Sequence, residues 1–442
     1  MDAILDSVPS VLQSLFGATA DRLARETGLV RRRRCLTPSA LARTLSVFLV
    51  REPNASLAQL ARELNISDSA LSQRLSTRAA SEFMRGLLSA ALAQLTTIPA
   101  QRINIPLLSR FNGVYLIDDT TVPLPATLAE SFPGYGGGTH PGDPSAAAAV
   151  KVVLRWRLDT SQASELFCAP ATTPDLHLMQ RLPALPPGAL HIGDLGFFDA
   201  AFLRDLTARG VFWLTRLPTA ICVGPQRADQ DLAQWLAHID RQTDSWEGEL
   251  WIGKVTPVRA RVLVQRCPPE VAARRRRKLQ HRARRKSRSV SQRQLTMCDW
   301  WVLATNVPAD ALRAAEATQL YRARWQIELV FKRWKSLGHL KVSPRVDPNR
   351  ALATLYGLLL GLLVTDWLAI QRGGALSGRS LWQAWQIVRR WLDRILLALQ
   401  TALGWTFVLT GLQNAIDRRA RQAHRKKSPS TRQRLFRSTL AA

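Results

Sequence analysis

Between Ala351 and Ile370 the chain reads "ALATLYGLLLGLLVTDWLAI", a twenty-residue stretch whose only charged side chain is Asp366. A helix of that length just spans a bilayer. A carboxylate inside hydrocarbon, however, costs about 3 kcal/mol on insertion scales. The stretch is therefore expected to be a helix buried within the protein rather than a membrane span. With 442 residues the chain exceeds the size at which a single core keeps growing, so two or more domains are expected and burial is not limiting.

Charge is the strongest global signal. The 61 Lys and Arg residues against 33 Asp and Glu leave a formal +28, an excess suited to a polyanion, with nucleic acid ahead of a membrane surface. The five cysteines, Cys35, Cys168, Cys222, Cys267 and Cys298, are scattered and form no C-x-x-C pair, a pattern of reduced thiols and a cytoplasmic setting. The opening "MDAILDSVPSVLQSLFG" carries an acid where a signal peptide carries positive charge, so secretion is not expected.

Residues 1–105 have helical spacing, interrupted by the polar run "RRRRC" at Arg31 to Cys35. Within them Leu57, Leu60, Ala61 and Leu64 share one helix face. Asn65 suits a left-handed turn, and Ser67 can cap a second helix carrying Ala70, Leu71 and Leu75. This is the outline of a helix-turn-helix, with Gln73, Arg74 and Arg78 as candidate DNA contacts, or equally of an ordinary helical hairpin. From about Arg110 the texture turns to strand. "GVYLIDDTTVPLP" reads as a buried strand with Asp118 and Asp119 at its C-terminal end, followed by an irregular Gly- and Pro-rich loop from Ser131 to Ala146. "AVKVVLRWRLD" and "ASELFCAPA" suit a hairpin, in which Lys151 and Arg155 either face DNA or sit at an edge. "GALHIGDLGFFDAAFLRDLTARG" is a strand meeting Asp194, then a helix that begins at Asp199; His191 is a candidate neighbour of the site or a structural histidine.

Residues 211–300 carry short strands, and then "RRRRKLQHRARRKSR", with ten cations and no acid, which must be solvated or face an anion; a disordered basic loop is expected, and contact with DNA stays open. Trp213, Trp246 and Trp251 offer stacking surfaces for an unpaired base, with core packing as the default. Residues 301–375 return to strand and helix, and 376–442 form a helical region ending in a basic tail.

The stretch "YRARWQIELVFKRWK", Tyr321 to Lys335, places one acid among five cations. On a continuous helix, at roughly 100° per residue, Tyr321, Arg324, Glu328 and Lys335 fall within an arc of about 60°, with Lys332 close by. Ala323, Ile327, Val330, Phe331 and Trp334 fall on an adjoining apolar face. The bland alternative is a solvated face with an Arg-Glu pair at i, i+4, worth a few tenths of a kcal/mol. One carboxylate does not hold a hard divalent cation, whereas three from different elements do, and Asp118 and Asp194 at strand ends are the candidates to join Glu328. Tyr321, Arg324, Lys332 and Lys335 would then donate to phosphate oxygens.

The spacing Tyr-x2-Arg-x3-Glu-x6-Lys at Tyr321, Arg324, Glu328 and Lys335 resembles the signature of the DDE transposases of the insertion-sequence-4 class. "LIDDTTVPLP", "IGDLGFFD" and "ATNVP" resemble that family's other motifs, over about Asn112 to Leu340. The resemblance implies an α/β protein with an RNase H-like catalytic core (106–210 and 301–375) interrupted by a mainly β insertion (211–300). A helical DNA-binding domain would precede the core and a helical region follow it. It further implies Asp118, Asp194 and Glu328 as ligands of two Mg2+ or Mn2+ ions, and Tyr321, Arg324 and Lys335 as phosphate contacts. Arg216 resembles a recurrent basic residue of the family. Asp119 replaces the family's usual Gly. Because neighbouring residues of a strand point to opposite faces, only one of the two acids can aim at the site, and the motif favours Asp118. The implied activity is cleavage at transposon ends and strand transfer into target DNA, by cut-and-paste, with terminal inverted repeats as substrate and a homodimer as the working form. The alternatives are an RNase H-like nuclease without strand transfer and a DNA-binding regulator that no longer cuts.

Overall fold

The computed structural model describes residues 2–30, 36–97, 105–136, 146–239, 243–285, 287–343, 346–372, 379–401, 403–421 and 435. The "RRRRC" run, most of the Gly-rich loop and most of the basic tail lie outside them. In chain order the strands are β1 (Val114–Pro123), β2 (Ala149–Arg157), β3 (Gln162–Pro170), β4 (Leu190–Ile192), β5 (Phe212–Arg216), β6 (Cys222–Gly224), β7 (Gln230–Asp231), β8 (Ser245–Ile252), β9 (Val258–Arg266) and β10 (Trp300–Thr305). The helices used below are α1 (Leu57–Glu63), α2 (Asp68–Leu75), α3 (Arg78–Thr97), α4 (Ala200–Ala208), α5 (Pro269–Arg285), α6 (Ala314–Ala323), α7 (Trp325–Ser336) and α8 (Pro348–Arg372). Two compact units divide the chain. One comprises Met1–Ile103, Asp118–Thr173 and Gln326–Ser428; the other comprises Asn104–Ile117, Pro174–Trp325 and Pro429–Ala442.

The first unit is built around α8, whose residues from Leu355 to Ile370 are all buried. The apolar stretch is thus a core helix. It packs against α3 and a π-helical turn at Thr44–Phe48. At Gly357 and Gly361 a β-carbon would sit 2.4 Å from the carbonyl oxygens of Leu45 and Ser46, so glycine at this i, i+4 spacing lets the two backbones approach. Asp366 is buried but partnered. Arg333 of α7 donates to it from Nε at 3.2 Å and from Nη2 at 3.1 Å, and the Trp334 indole donates at 2.6 Å. Burial pushes the Asp366 carboxyl upward, and the arginine and indole work against that shift.

The helical hairpin in this unit follows its local chemistry. Asn65 takes φ 51°, Ser67 accepts from the Ala70 amide at 3.2 Å, and α2 follows. Gln73 and Arg78 are exposed, whereas Arg74 donates to the Leu29 carbonyl at 2.5 Å and is partly committed to the fold. Strands run in the order β3-β2-β1, with β2 and β3 antiparallel. The whole of β2 from Ala149 to Trp156 is buried, Lys151 and Arg155 included, and Lys151 donates to the Thr173 carbonyl at 2.9 Å. Neither residue therefore faces DNA from a strand edge. The strand carrying Asp118 and Asp119 does not stop at the acids. The β-branched run Thr120, Thr121, Val122 extends it to Pro123, which leaves the acids in its middle.

In the second unit the strand order is β1-β4-β5-β10-β9-β8-β6-β7, a large mixed sheet. β1, β4 and β5 are parallel, and the remaining pairings are antiparallel. Its core gathers Trp213, Val223, Leu250, Val262 and Val302 from five of these strands. Trp213 is fully buried and donates to the Thr207 hydroxyl at 2.9 Å, so it is a packing residue. The basic run, expected as a loop, is for the most part helix, because it forms the larger part of α5. Arg, Lys, Gln and Ala are all strong helix formers, and acceptors outside the run anchor two of its arginines, which offsets the repulsion between like charges.

Candidate functional site

In the second unit β4 ends at Ile192, and Asp194 opens a 3-10 turn at Leu195–Phe197 with extended backbone. Asp194 makes no capping hydrogen bond, whereas Asp199, five residues on, caps α4 by accepting from the Phe202 amide at 2.6 Å. Of two acids in one short motif, one is spent on structure and the other leaves its carboxylate for other partners. The Tyr321 hydroxyl reaches Asp194 Oδ1 at 3.5 Å, the long limit of a hydrogen bond. Its pKa is pushed up to about 12, first by burial and then by the Asp194 charge, while Arg216 and Arg324 pull it down. The phenol therefore remains a neutral donor through the physiological range. Arg216 closes β5, in register with Leu303 of β10, and Arg324 follows α6. Asp194, Tyr321, Arg216 and Arg324 thus form one electrostatic group.

Glu316, a residue that the sequence did not single out, fixes the helix carrying Tyr321. It sits in the first turn of α6, accepts from the Arg313 amide at 2.9 Å, and takes a two-pronged contact from Arg110 at 3.0 and 3.1 Å. Burial alone would raise its pKa. The hydrogen bonds from Arg313 and Arg110 instead hold it down at about 2. The available signal was an acid three residues into a helix, a capping pattern. Beside this helix lies a cavity of about 500 Å³ bordered by Arg216, Tyr321, Trp246, Trp301, Arg275 and Arg322.

In the first unit, Asp118 and Asp119 lie half-buried on β1, and the Asp119 amide donates to Asp118 Oδ1 at 2.9 Å. The stretch from Tyr321 to Lys335 is not the single helix expected. α6 ends at Ala323 and α7 begins at Trp325, with a tightened turn between them in which the Arg324 amide donates to the Tyr321 carbonyl at 3.1 Å. Within α7, Glu328, Lys332 and Lys335 stand at i, i+4 and i+7 on one face. Ile327, Val330, Phe331 and Trp334 are buried, as the apolar face required. Lys332 is exposed. The Lys335 ammonium is held below its ordinary pKa, chiefly by desolvation, against which the Asp119 carboxylate works. Arg333 is buried against Asp366 and is not a surface cation.

Among the described residues, no three His, Cys, Asp or Glu side chains are grouped closely enough to hold a metal. In donor chemistry the carboxylates of Asp118, Asp194 and Glu328 suit a hard divalent cation, which takes anionic oxygen. Asp194, free of any capping duty, is the clearest example.

Residues 109–363 match the family model described as the transposase DDE domain. The chain is 25% identical over 368 residues to the transposase for insertion sequence element IS231B of Bacillus thuringiensis subsp. berliner, covering 78% of this chain and 75% of that one. Against the transposase for IS231F of Bacillus thuringiensis subsp. israelensis, identity is 24% over 434 residues, or 92% of this chain and 89% of the relative. The transposase for IS1151 of Clostridium perfringens is 24% identical over 279 residues, covering 58% of this chain and 57% of its own.

Proposed function

This chain belongs to the DDE transposase family, and on that premise we propose that it cuts DNA at the ends of an insertion element and transfers the freed strands to target DNA by cut-and-paste. The observation that carries the reading is the pairing of a carboxylate kept out of capping, Asp194, with a phenol hydroxyl and two guanidinium groups. A lone acid beside cations is otherwise a plain ion pair. A phenol whose pKa is near 12 adds a neutral donor suited to anionic oxygen.

Asp118, Asp194 and Glu328 would take two divalent ions, Mg2+ or Mn2+. Such ions, when bound, polarise the scissile phosphate and lower the pKa of the attacking water or 3′-hydroxyl. The remaining roles belong to the chain's own side chains. Tyr321 donates to a phosphate oxygen while its own proton stays in place. Arg324 and Arg216 hold the non-bridging oxygens, and Lys332 and Lys335 on α7 bind flanking phosphates. The fold proposed for this chemistry is an RNase H-like core interrupted by a β insertion. The α1–α2 hairpin would serve as a DNA-reading module, and a homodimer acting on paired ends in the cytoplasm would be the working form.

The test is Mn2+-dependent nicking of duplex DNA that carries the element's own terminal repeats. Asp118→Ala, Asp194→Ala and Glu328→Ala should each abolish nicking while the protein still binds the duplex. Nicking by all three variants at the wild-type rate would sink the assignment.

A further inference from the structure

Helix α5 carries eight of the ten cations of the basic run, and from Val271 to Val290 there is no acid. Its residues divide by face. Ala272 is buried, and Arg275, Arg276, Leu279 and Ala283 are half-buried, at the three- and four-residue spacing of an inward stripe. The outward face holds two exposed rows, Arg274, Lys278 and Arg282 in one and Arg277, His281 and Arg285 in the other.

The inward arginines are tied down. Arg275 donates to the Trp300 carbonyl at 2.9 Å, to the Met297 carbonyl at 3.0 Å and to the Cys267 sulfur at 2.8 Å. Arg276 pairs with the Asp299 carboxylate. Rows of like charge at i, i+4 destabilise a helix by themselves, so the anchors hold in helical form a surface that repulsion would otherwise loosen. Arg275 also borders the cavity lined by Tyr321 and Arg216. The basic rows therefore stand on a helix whose inward face borders that same cavity.

We propose that the outward face of α5 is a docking surface for the phosphate backbone of duplex DNA of arbitrary sequence. The proposal rests on the reading of the chain as a DNA-cutting enzyme and adds a contact outside the carboxylate group. Charge complementarity selects the occupant. Successive cations in a row rise by about 6 Å along the helix, close to the axial span of two phosphates on one strand, about 7 Å. Five of the six side chains are permanent cations at neutral pH, and none is a carboxylate. Neutralising phosphates in this way is independent of base sequence, and it suits DNA outside an element's fixed ends.

The experiment measures binding of the full chain to a duplex of arbitrary sequence across a salt series. The comparison is between wild type and the variant R274Q/R277Q/K278Q/R282Q, since glutamine keeps helix propensity. The slope of log affinity against log salt should become shallower by about three to four units, close to 0.9 per lost phosphate contact. Wild-type binding with a slope changed by less than one unit overturns the proposal and leaves the DNA-cutting reading standing. Failure of wild type to bind any duplex overturns that reading, and the proposal with it. Vesicles of anionic lipid form a second arm. Loss of vesicle binding with duplex binding intact would assign the face to a membrane surface instead. Should circular dichroism show that the fourfold variant has lost helix, the pair R277Q/K278Q carries the test, with an expected change of about two units.

Discussion

Helices α5 and α7 both carry cations, and each divides them between the fold and the surface, on different terms. On α7, Arg333 is buried against Asp366 of α8, and the Lys335 ammonium lies within the field of Asp119. On α5, one arginine meets a carboxylate, another meets backbone carbonyls, and the outward rows face solvent. The number of basic residues, three on α7 and eight on α5, does not by itself explain how each is held. The acids within reach do. α8 brings a carboxylate into the core, where Arg333 and the Trp334 indole answer it, whereas after Glu270 the sequence of α5 supplies no acid. On α7 a single buried arginine thus fixes the helix that carries Glu328, and its two lysines stay exposed. On α5 two arginines anchor the helix and six cations stay exposed for a partner.

The largest test of that contrast is Asp366→Ala. It would leave the Arg333 guanidinium and the Trp334 indole buried without their acceptor, and breaking one side of a buried pair costs about 3–5 kcal/mol. Denaturant unfolding should show a loss in that range. The double replacement Asp366→Leu with Arg333→Met should recover most of it, since a buried ion pair is often replaceable by apolar groups at little cost. A loss under about 1 kcal/mol for Asp366→Ala would mean that Arg333 is no more committed than the outward arginines of α5.

The two helices were also unequally legible in the sequence, for the same reason. The α1–α2 hairpin could be read because its determinants, Asn65 and Ser67, act on neighbours within a few residues. The strands of the mixed sheet could be read from their apolar runs. The helical state of α5 could not, because its anchors are the Met297 and Trp300 carbonyls and the Asp299 carboxylate, far along the chain from the arginines they hold. Arg333 was legible as a cation but not as a core residue, since its partner lies 33 positions away. The break between α6 and α7 was invisible because Arg324 keeps right-handed helical dihedrals, φ −49° and ψ −35°, and no Gly or Pro marks it. At the candidate site the residue types and their spacing were readable, but the brace behind Tyr321 was not. Glu316 meets Arg110 across 206 residues.

That brace yields the next prediction. Glu316→Gln should cost on the order of 2–3 kcal/mol at neutral pH, because the carboxylate is held near 2 in the folded chain against an ordinary 4.5. The sign follows from the depressed value. Its stabilising contribution is complete above the unfolded value and is lost as pH falls through about 4.5 toward 2. Wild type should therefore lose stability over that window, and the glutamine variant should lose less. Parallel acid-unfolding curves for the two proteins would show that Arg110 and Arg313 do not depend on the charge of Glu316. The brace would then resemble the outward face of α5, with its cations uncommitted.

The smallest expected effect belongs to α5 itself. Arg277→Gln removes an exposed cation from a row of like charges, and a surface change of that kind stays within about 0.5 kcal/mol. Relief of repulsion with Arg274 even allows a slight gain in stability. Arg275→Gln, on the inward face, should be clearly worse, since it strips donors from the Trp300 and Met297 carbonyls and frees the helix from the start of β10. Thermal melts of the two variants compare neighbours on one helix with the same side chain and the same substitution. If they melt alike, α5 is not anchored as the hydrogen bonds indicate, and the contrast with α7 loses its structural half. If only Arg275→Gln falls, the outward arginines carry little of the fold, which is the condition for a face reserved for binding.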